Sequence, residues 1–417
     1  MDKFLINGPQ KVAGKVSISG AKNAVLPIMA STIINPAKYT IRNVPLLRDT
    51  LTMIKMLELS GATVDFKNNI LTVDTRNCSN YVAPYELVKT MRASFYMLGP
   101  FLSRFGKAVV SLPGGCAWGP RPVDYHIKAF EKMGAKINLN GGNINARGPL
   151  EGSEINFEQV SVGATGNVVM GAVKAKGKTV ILNPSLEPEI EDLCNFLNAM
   201  GAKITGLGTK QLHITGVSKM KNKVDYTIIP DRIEAGTFMM AAAISGGELQ
   251  LNGVNPSHLS IIINKLEESG TIIEYIDSNT LKVVATGKIH PVDIVTAPYP
   301  GFPTDLQAQW MALMTLSDGV CTIIDEIYKD RFTHISELIR LGAKIKLNDN
   351  IATVYGVKSL TGAPVMSTDI RASASLIIAS LSAKGESEIS RIYHIDRGYE
   401  KIEKKLNSLN INIDRVT

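Results

Sequence analysis

Apolar residues in this 417-residue chain fall into two patterns. Some runs are apolar on every side of a helix, such as Phe238-Met-Met-Ala-Ala-Ala-Ile and Leu376-Ile-Ile-Ala-Ser-Leu. A helix with no polar face has to sit inside a domain, so these runs predict buried helices. Shorter stretches alternate, as in Lys203-Ile-Thr and Leu281-Lys-Val-Val, and predict strands with one face on a core. The expected class is α/β, with helices inside and sheets outside.

Both patterns recur along the chain. A small or charged residue opens an apolar helical run at Gly20, Arg92, Gly163, Glu234, Thr304 and Arg371, at steps of 72, 71, 71, 70 and 67 residues. A second marker closes a helix ahead of a short strand at Gly61, Gly134, Gly201, Gly270, Gly342 and Asn410, at steps of 73, 67, 69, 72 and 68 residues. Glycine or asparagine at that place suits the left-handed cap that stops a helix. Two markers with one period predict six repeats, each with two helices and several short strands. Second helices are expected to start at Arg48-Asp49, Arg121-Pro122, Glu187-Pro188 and Arg331, with Arg397 in the matching place of the last repeat. Six repeats divide as three plus three. The first lobe is expected over 21–229 and the second over 230–417. Phe4-Leu-Ile-Asn-Gly reads as a strand, and the segment 1–20 is expected to complete the last sheet of the second lobe.

Composition narrows the function classes. Apolar residues make up 45% and charged residues 20%, a soluble globular mix long enough for two or three domains. The net charge of +7 is modest and scattered, so a solvated surface accounts for it better than nucleic-acid binding; a basic cleft that draws in an anionic small molecule is the other reading. The N-terminus has no basic-then-apolar region, and no apolar run reaches the ~18 residues of a membrane span. Cys78, Cys116, Cys194 and Cys321 lie far apart, with no CxxC pair and no zinc-like spacing. A cytoplasmic, reducing setting without metal is expected.

Candidate chemistry concentrates at the repeat openings. Ser111-Leu-Pro-Gly-Gly-Cys-Ala-Trp-Gly-Pro-Arg-Pro-Val-Asp124 places Cys116 in a Gly/Pro-rich loop near Arg121, where a thiol is exposed and close to a cation. Lys22-Asn23 opens the first buried helix, either as a phosphate-binding point charge at a helix N-terminus or as a solvated lysine beside a cap. Ser161-Val-Gly-Ala-Thr-Gly166 can cradle a diphosphate with N–H groups and hydroxyls, or serve as a plain turn. Asp305 follows the stiff Pro298-Tyr-Pro-Gly-Phe-Pro-Thr turn and reads equally as general base or helix cap. Arg121, Arg331 and Arg397 hold matching places in three repeats, as clamps on an anion or as surface ion pairs.

These stretches, with Ser19-Gly-Ala-Lys-Asn-Ala, Asp231-Arg-Ile-Glu-Ala-Gly-Thr-Phe, Pro300-Gly-Phe-Pro-Thr-Asp, Asp330-Arg-Phe and Asp369-Ile-Arg-Ala-Ser-Ala, span the chain. Together they resemble the UDP-N-acetylglucosamine 1-carboxyvinyltransferase family of enolpyruvyl transferases. Pro-Gly-Gly-Cys followed by Arg-Pro-Val-Asp is its specific signature. The sister 3-phosphoshikimate 1-carboxyvinyltransferases share the fold and lack the cysteine loop.

The resemblance implies a two-lobed inside-out α/β barrel of six βαβαββ repeats. It implies transfer of the enolpyruvyl group of phosphoenolpyruvate to the 3-hydroxyl of UDP-N-acetylglucosamine, with release of phosphate, in peptidoglycan synthesis. Lys22, Asn23, Arg121 and Arg397 would hold phosphoenolpyruvate, with Lys22 and Arg397 part of the catalytic set. Arg92, Arg121, Pro122, Val123, Asp124, Tyr125, Ser161, Val162, Gly163, Asp305 and Ile327 would contact the sugar nucleotide. Asp305 would take the hydroxyl proton, and Cys116 would protonate the methylene carbon from a lid loop. Arg331, Asp369 and Arg371 would support the cationic pocket. A cytoplasmic monomer without cofactor, metal, nucleic acid or membrane partner is implied. Trp118, Gln159 and Tyr328 depart from the family pattern, where an aliphatic residue, lysine and phenylalanine are commoner.

Overall fold

The computed structural model describes residues 2–112 and 123–417. Cys116, Trp118, Arg121 and Pro122 lie outside the described residues, as does the helix start expected at Arg121-Pro122. The chain forms two compact units, Gly20–Ile229 and Met1–Ser19 together with Pro230–Thr417.

Each unit contains three repeats of strand, buried helix, strand, second helix and hairpin. In Gly20–Ile229 the buried helices are Lys22–Ser31, Leu98–Phe105 and Val162–Ala172. In the other unit they are Arg232–Ser245, Gln307–Met314 and Ser373–Ser382. Most of their residues are buried, because the helices pack against one another and are roofed by sheets. Leu98–Phe105 lies along Val162–Ala172 so closely that a Cβ at Gly99 would collide with the Asn167 carbonyl. The second helices include Arg48–Leu59 and Pro188–Ala199, which start at their expected residues. The helix-closing residues take left-handed φ, from 62° at Asn410 to 103° at Gly201, where a residue other than glycine or asparagine would be strained.

Among the described residues, five four-stranded sheets follow one plan, with the leading strand parallel to its neighbour and the remaining pairs antiparallel; in the sixth, Leu360–Thr361 and Pro364–Met366 both run parallel to Ala383–Ser390. Two leading strands are exchanged. Ala13–Ser17 precedes the helix Lys22–Ser31 in sequence but pairs with Glu248–Asn252, from Ala13↔Glu248 to Ser17↔Asn252. Its place in the first sheet is taken by Lys223–Thr227, parallel to Lys38–Arg42. The chain therefore passes between units twice, at Ser19–Gly20 and at Ile229–Pro230. The strand Lys3–Gly8 lies between Ala383–Ser390 and Ile413–Val416, so both chain ends share one sheet.

Two expected helix starts are corrected. The helix after Arg331 begins at His334, and Arg331 is buried in the preceding loop. Arg397 closes the 3-10 turn Ile392–Arg397, and the next helix is Ile402–Asn407. An arginine at a helix start faces the positive end of the helix dipole. Arg331 instead turns toward carboxylates of neighbouring elements.

Candidate active site

Polar side chains in apolar, buried helices are costly unless partnered. Several buried polar residues lie at or near the N-terminal ends of the first helices, among them Lys22, Asp231, Glu234, Asp369 and Arg371.

In the unit containing Pro230–Thr417, the stiff Pro303 approach leads into a 3-10 turn, Thr304–Leu306, that carries Asp305. The turn has no side-chain cap, so the cap reading of Asp305 does not hold. Its carboxylate accepts instead from Arg331 Nη1 at 2.8 Å. Arg331 Nη2 donates to Asp369 at 2.9 Å, and Nη1 also reaches Thr304 at 3.3 Å. Arg331 and Asp369 side chains are each 6% exposed, whereas Asp305 keeps 26%, so one carboxylate of the trio remains accessible. Burial disfavours the Arg331 charge, but Asp369 and Asp305 outweigh it and hold the guanidinium protonated above its usual range. Burial likewise disfavours ionised Asp369, yet Arg331 and the Ala372 N–H keep its pKa below the ordinary carboxylate value. Arg371 donates to the Gly398 carbonyl and to Asp231, both at 2.7 Å, and so ties down the backbone directly after Arg397.

Ile327 is positioned by a residue that nothing in the sequence singles out. Asp325, fully buried at a strand end, accepts from the Ile327 and Tyr328 amides at 3.0 and 2.8 Å. The Thr296 and Thr304 hydroxyls each donate to Asp325 at 2.7 Å. One carboxylate thus links the Ile327 loop to the Asp305 turn.

In Gly20–Ile229, Lys22 is buried rather than solvated, and its Nζ lies 2.8 Å from Asp49 Oδ2. Asn23 beside it is exposed. Ser161 caps the helix Val162–Ala172 through the Ala164 N–H at 3.3 Å, while Ser161, Val162 and Gly163 stay at least partly open. Asp124 and Tyr125 begin the helix Asp124–Lys132, directly after Val123. His126, one residue on, is buried beneath this end, its ring 3.4 Å from where a Gly163 Cβ would stand.

His126 Nδ1 lies 3.0 Å from Asn167 Nδ2, and Asn167 Oδ1 accepts from the Gly99 amide. The amide nitrogen can only donate, so Nδ1 is the unprotonated nitrogen. Burial, with the Arg92 charge adding to it, pushes the His126 pKa down to about 3. An unfolded histidine titrates near 6.5. Between those values the unfolded chain binds a proton that the folded chain refuses, so stability falls as pH drops below about 6.5. We expect unfolding free energy measured between pH 7 and 5 to lose up to about 1.4 kcal/mol per pH unit through His126. His126→Gln should flatten that slope, and an unchanged slope would contradict the assignment.

The sequence reading thus named Asp305, Arg331, Asp369, Arg371 and Arg397, which one unit gathers, and Lys22, Asn23, Arg92, Val123 to Tyr125 and Ser161 to Gly163, which the other carries. It gave no site role to Asp49, His126, Asn167, Asp231 and Asp325. Asp49 and Asp231 stand in it only as parts of a helix start and of a family stretch, and the buried partners reveal what each of the five holds.

A protein-family model described as EPSP synthase (3-phosphoshikimate 1-carboxyvinyltransferase) matches residues 6–406. The chain is 53% identical to the UDP-N-acetylglucosamine 1-carboxyvinyltransferase of Geotalea uraniireducens (strain Rf4), over all of both chains. It is 52% identical to that of Chlorobaculum parvum (strain DSM 263 / NCIMB 8327), over all of this chain and 98% of that one. Among solved structures it is similar to the enolpyruvyl transferase NikO from Streptomyces tendae, with a TM-score of 0.90 and 23% identity over all of this chain and 99% of that one. It is also similar to EPSP synthase from Acinetobacter baumannii, with a TM-score of 0.77 and 17% identity over all of both chains. At those identities the structural likeness speaks for the fold.

Proposed function

The chain belongs to the UDP-N-acetylglucosamine 1-carboxyvinyltransferase family of enolpyruvyl transferases, and from that membership we propose how its residues carry the transfer. The enolpyruvyl group of phosphoenolpyruvate passes to the 3-hydroxyl of UDP-N-acetylglucosamine, and phosphate is released.

The observation that carries the reading is the Asp305–Arg331–Asp369 trio, with its one accessible carboxylate on Asp305. Arg331 fixes Asp305 in orientation while Asp369 offsets part of the arginine charge. The partly open Asp305 carboxylate accepts the 3-hydroxyl proton as the sugar oxygen attacks C2 of phosphoenolpyruvate. Cys116 supplies a proton to the methylene carbon, which becomes a methyl group. The adduct is a tetrahedral phospho-ketal. Loss of a methyl proton and of phosphate then leaves the enol ether.

Phosphoenolpyruvate is a compact trianion, so several preorganised cations are needed where its charge changes. Lys22, Arg121 and Arg397 supply them, and Asn23 adds an amide. The Asp49 partner holds Lys22 Nζ at the start of its helix, where the dipole also favours an anion. Ser161, Val162 and Gly163 receive the diphosphate, and Val123, Asp124, Tyr125 and Ile327 line the nucleotide and sugar, with Arg92 helping to close around them. Pro122, outside the described residues, is assigned to the same sugar-nucleotide contact.

Phosphate release is expected from phosphoenolpyruvate when UDP-N-acetylglucosamine is present, and not with shikimate 3-phosphate in its place. Release with shikimate 3-phosphate alone would assign the chain to the sister activity. Asp305→Ala should lower kcat by about a hundredfold, as for the loss of a general base, with a much smaller change in phosphoenolpyruvate binding. The reverse split would make Asp305 a binding residue.

A further inference from the structure

The buried helix Gln307–Met314 is apolar apart from two glutamines. Gln309 is completely buried, and its amide nitrogen donates to the Asp305 carbonyl at 3.0 Å. The same nitrogen lies 3.1 Å from Tyr399 Oη and 3.3 Å from Thr237 Oγ1. Thr237 uses its one hydroxyl hydrogen on the Ile233 carbonyl at 2.8 Å. The 2.8 Å bond between Thr237 and Tyr399 must then be donated by Tyr399. The Tyr399 oxygen is left to accept from Gln309. A flipped amide would set oxygen against oxygen at Asp305, so the direction of the whole chain is determined. It runs from Gln309 through Tyr399 and Thr237 to the Ile233 carbonyl, with a branch from Gln309 to Asp305.

Tyr399 carries the chain to a second turn. Its buried ring lies 5.1 Å from the Arg371 guanidinium, which donates to the Gly398 carbonyl at 2.7 Å. Gly398 directly follows Arg397. The second Arg371 bond goes to Asp231, whose other oxygen caps the helix Arg232–Ser245 through the Ile233 and Glu234 amides. Gln309 Oε1 has no hydrogen-bond partner among the described residues. An apolar side chain would fill this place without a half-satisfied amide.

We propose that Gln309 and Tyr399 are positioning residues, a buried relay that holds the Asp305 turn and the Arg397–Gly398 turn in one fixed relation. The proposal rests on the reading of Asp305 as base and Arg397 as a phosphoenolpyruvate ligand. Both relay residues are buried. Their effect is on the geometry of two groups that must act on one adduct, where small misplacement is costly in rate.

The test combines phosphate-release kinetics with amide hydrogen exchange on Gln309→Met, Tyr399→Phe and the double variant of the full chain. Each single variant is expected to lower kcat by about tenfold, the scale of one hydrogen bond, with KM for UDP-N-acetylglucosamine within about twofold. Exchange should quicken in both 303–306 and 396–399 whichever residue is replaced. The double variant should lose little more than the worse single one, because either change breaks the same chain. Unchanged exchange at the distant turn, additive rate losses, or an unchanged kcat would each overturn the relay. If the wild-type chain releases no phosphate with UDP-N-acetylglucosamine, the functional reading fails, and exchange at the two turns still decides the relay.

Discussion

Cys116→Ala is expected to abolish turnover while UDP-N-acetylglucosamine still binds. Protonating an alkene carbon needs an acid placed at that carbon, and positioned acids contribute on the order of 10² to 10⁴ in rate. If the Cys116 loop acts as the proposed lid, the loss should sit at the upper end, because excluding water also excludes the substitute donor. The Gly/Pro-rich stretch Pro113 to Pro122 suits such a lid: glycine permits tight bends and proline stiffens the segments between them. Cys116→Ser should fail as alanine does, since a hydroxyl is a far weaker acid than a thiol. The decisive pair of measurements is phosphate release and calorimetric binding of the sugar nucleotide. Undiminished release from Cys116→Ala would refute the assigned role, and loss of binding would recast Cys116 as a structural residue of the loop.

Arg331→Met is the second large effect. Methionine matches the length of the aliphatic stem but leaves Asp305 and Asp369 without their shared cation, and Asp369 stays buried. Removing one partner of a buried pair costs about 3–5 kcal/mol, mostly through the uncompensated charge left behind. Unfolding by denaturant should show a loss of that size, and a change below about 1 kcal/mol would mean the trio is not coupled as its geometry indicates. The pH dependence should also reverse. In the wild type Asp369 is held below its unfolded pKa, so its contribution is present above that unfolded value and is lost as pH falls through the folded value. Without Arg331, burial raises the Asp369 pKa, and the variant should gain stability as pH falls from 7 toward 5. Arg331→Lys keeps a charge but not the two-pronged reach to both carboxylates, so it should recover only part of the loss.

Different parts of the molecule were legible in the sequence to different degrees. The buried helices announce themselves because a helix such as Arg232–Ser245 has no polar face to offer solvent. The six caps are legible because a left-handed residue nearly always has to be glycine or asparagine. The exchange of Ala13–Ser17 with Lys223–Thr227 is not legible. Both strands have similar local patterns, and which sheet each one joins is decided by pairings more than 180 residues distant. Arg331 looked like a helix opener because it sits where such residues sit in other repeats. Its true direction depends on Asp305 and Asp369, which lie 26 residues before it and 38 residues after it in the chain.

By itself, the sequence determined the repeat architecture, the helix interiors and the residue types of the candidate chemistry. Each of these follows from local rules of periodicity, backbone sterics and functional-group identity. Only the tertiary structure decided which carboxylate each cation faces, which turn Asp325 and Gln309 hold, and which nitrogen of His126 lacks a proton. Those are properties of pairs and networks in a buried, low-dielectric interior, where partners far apart in the chain set one another's charge and direction.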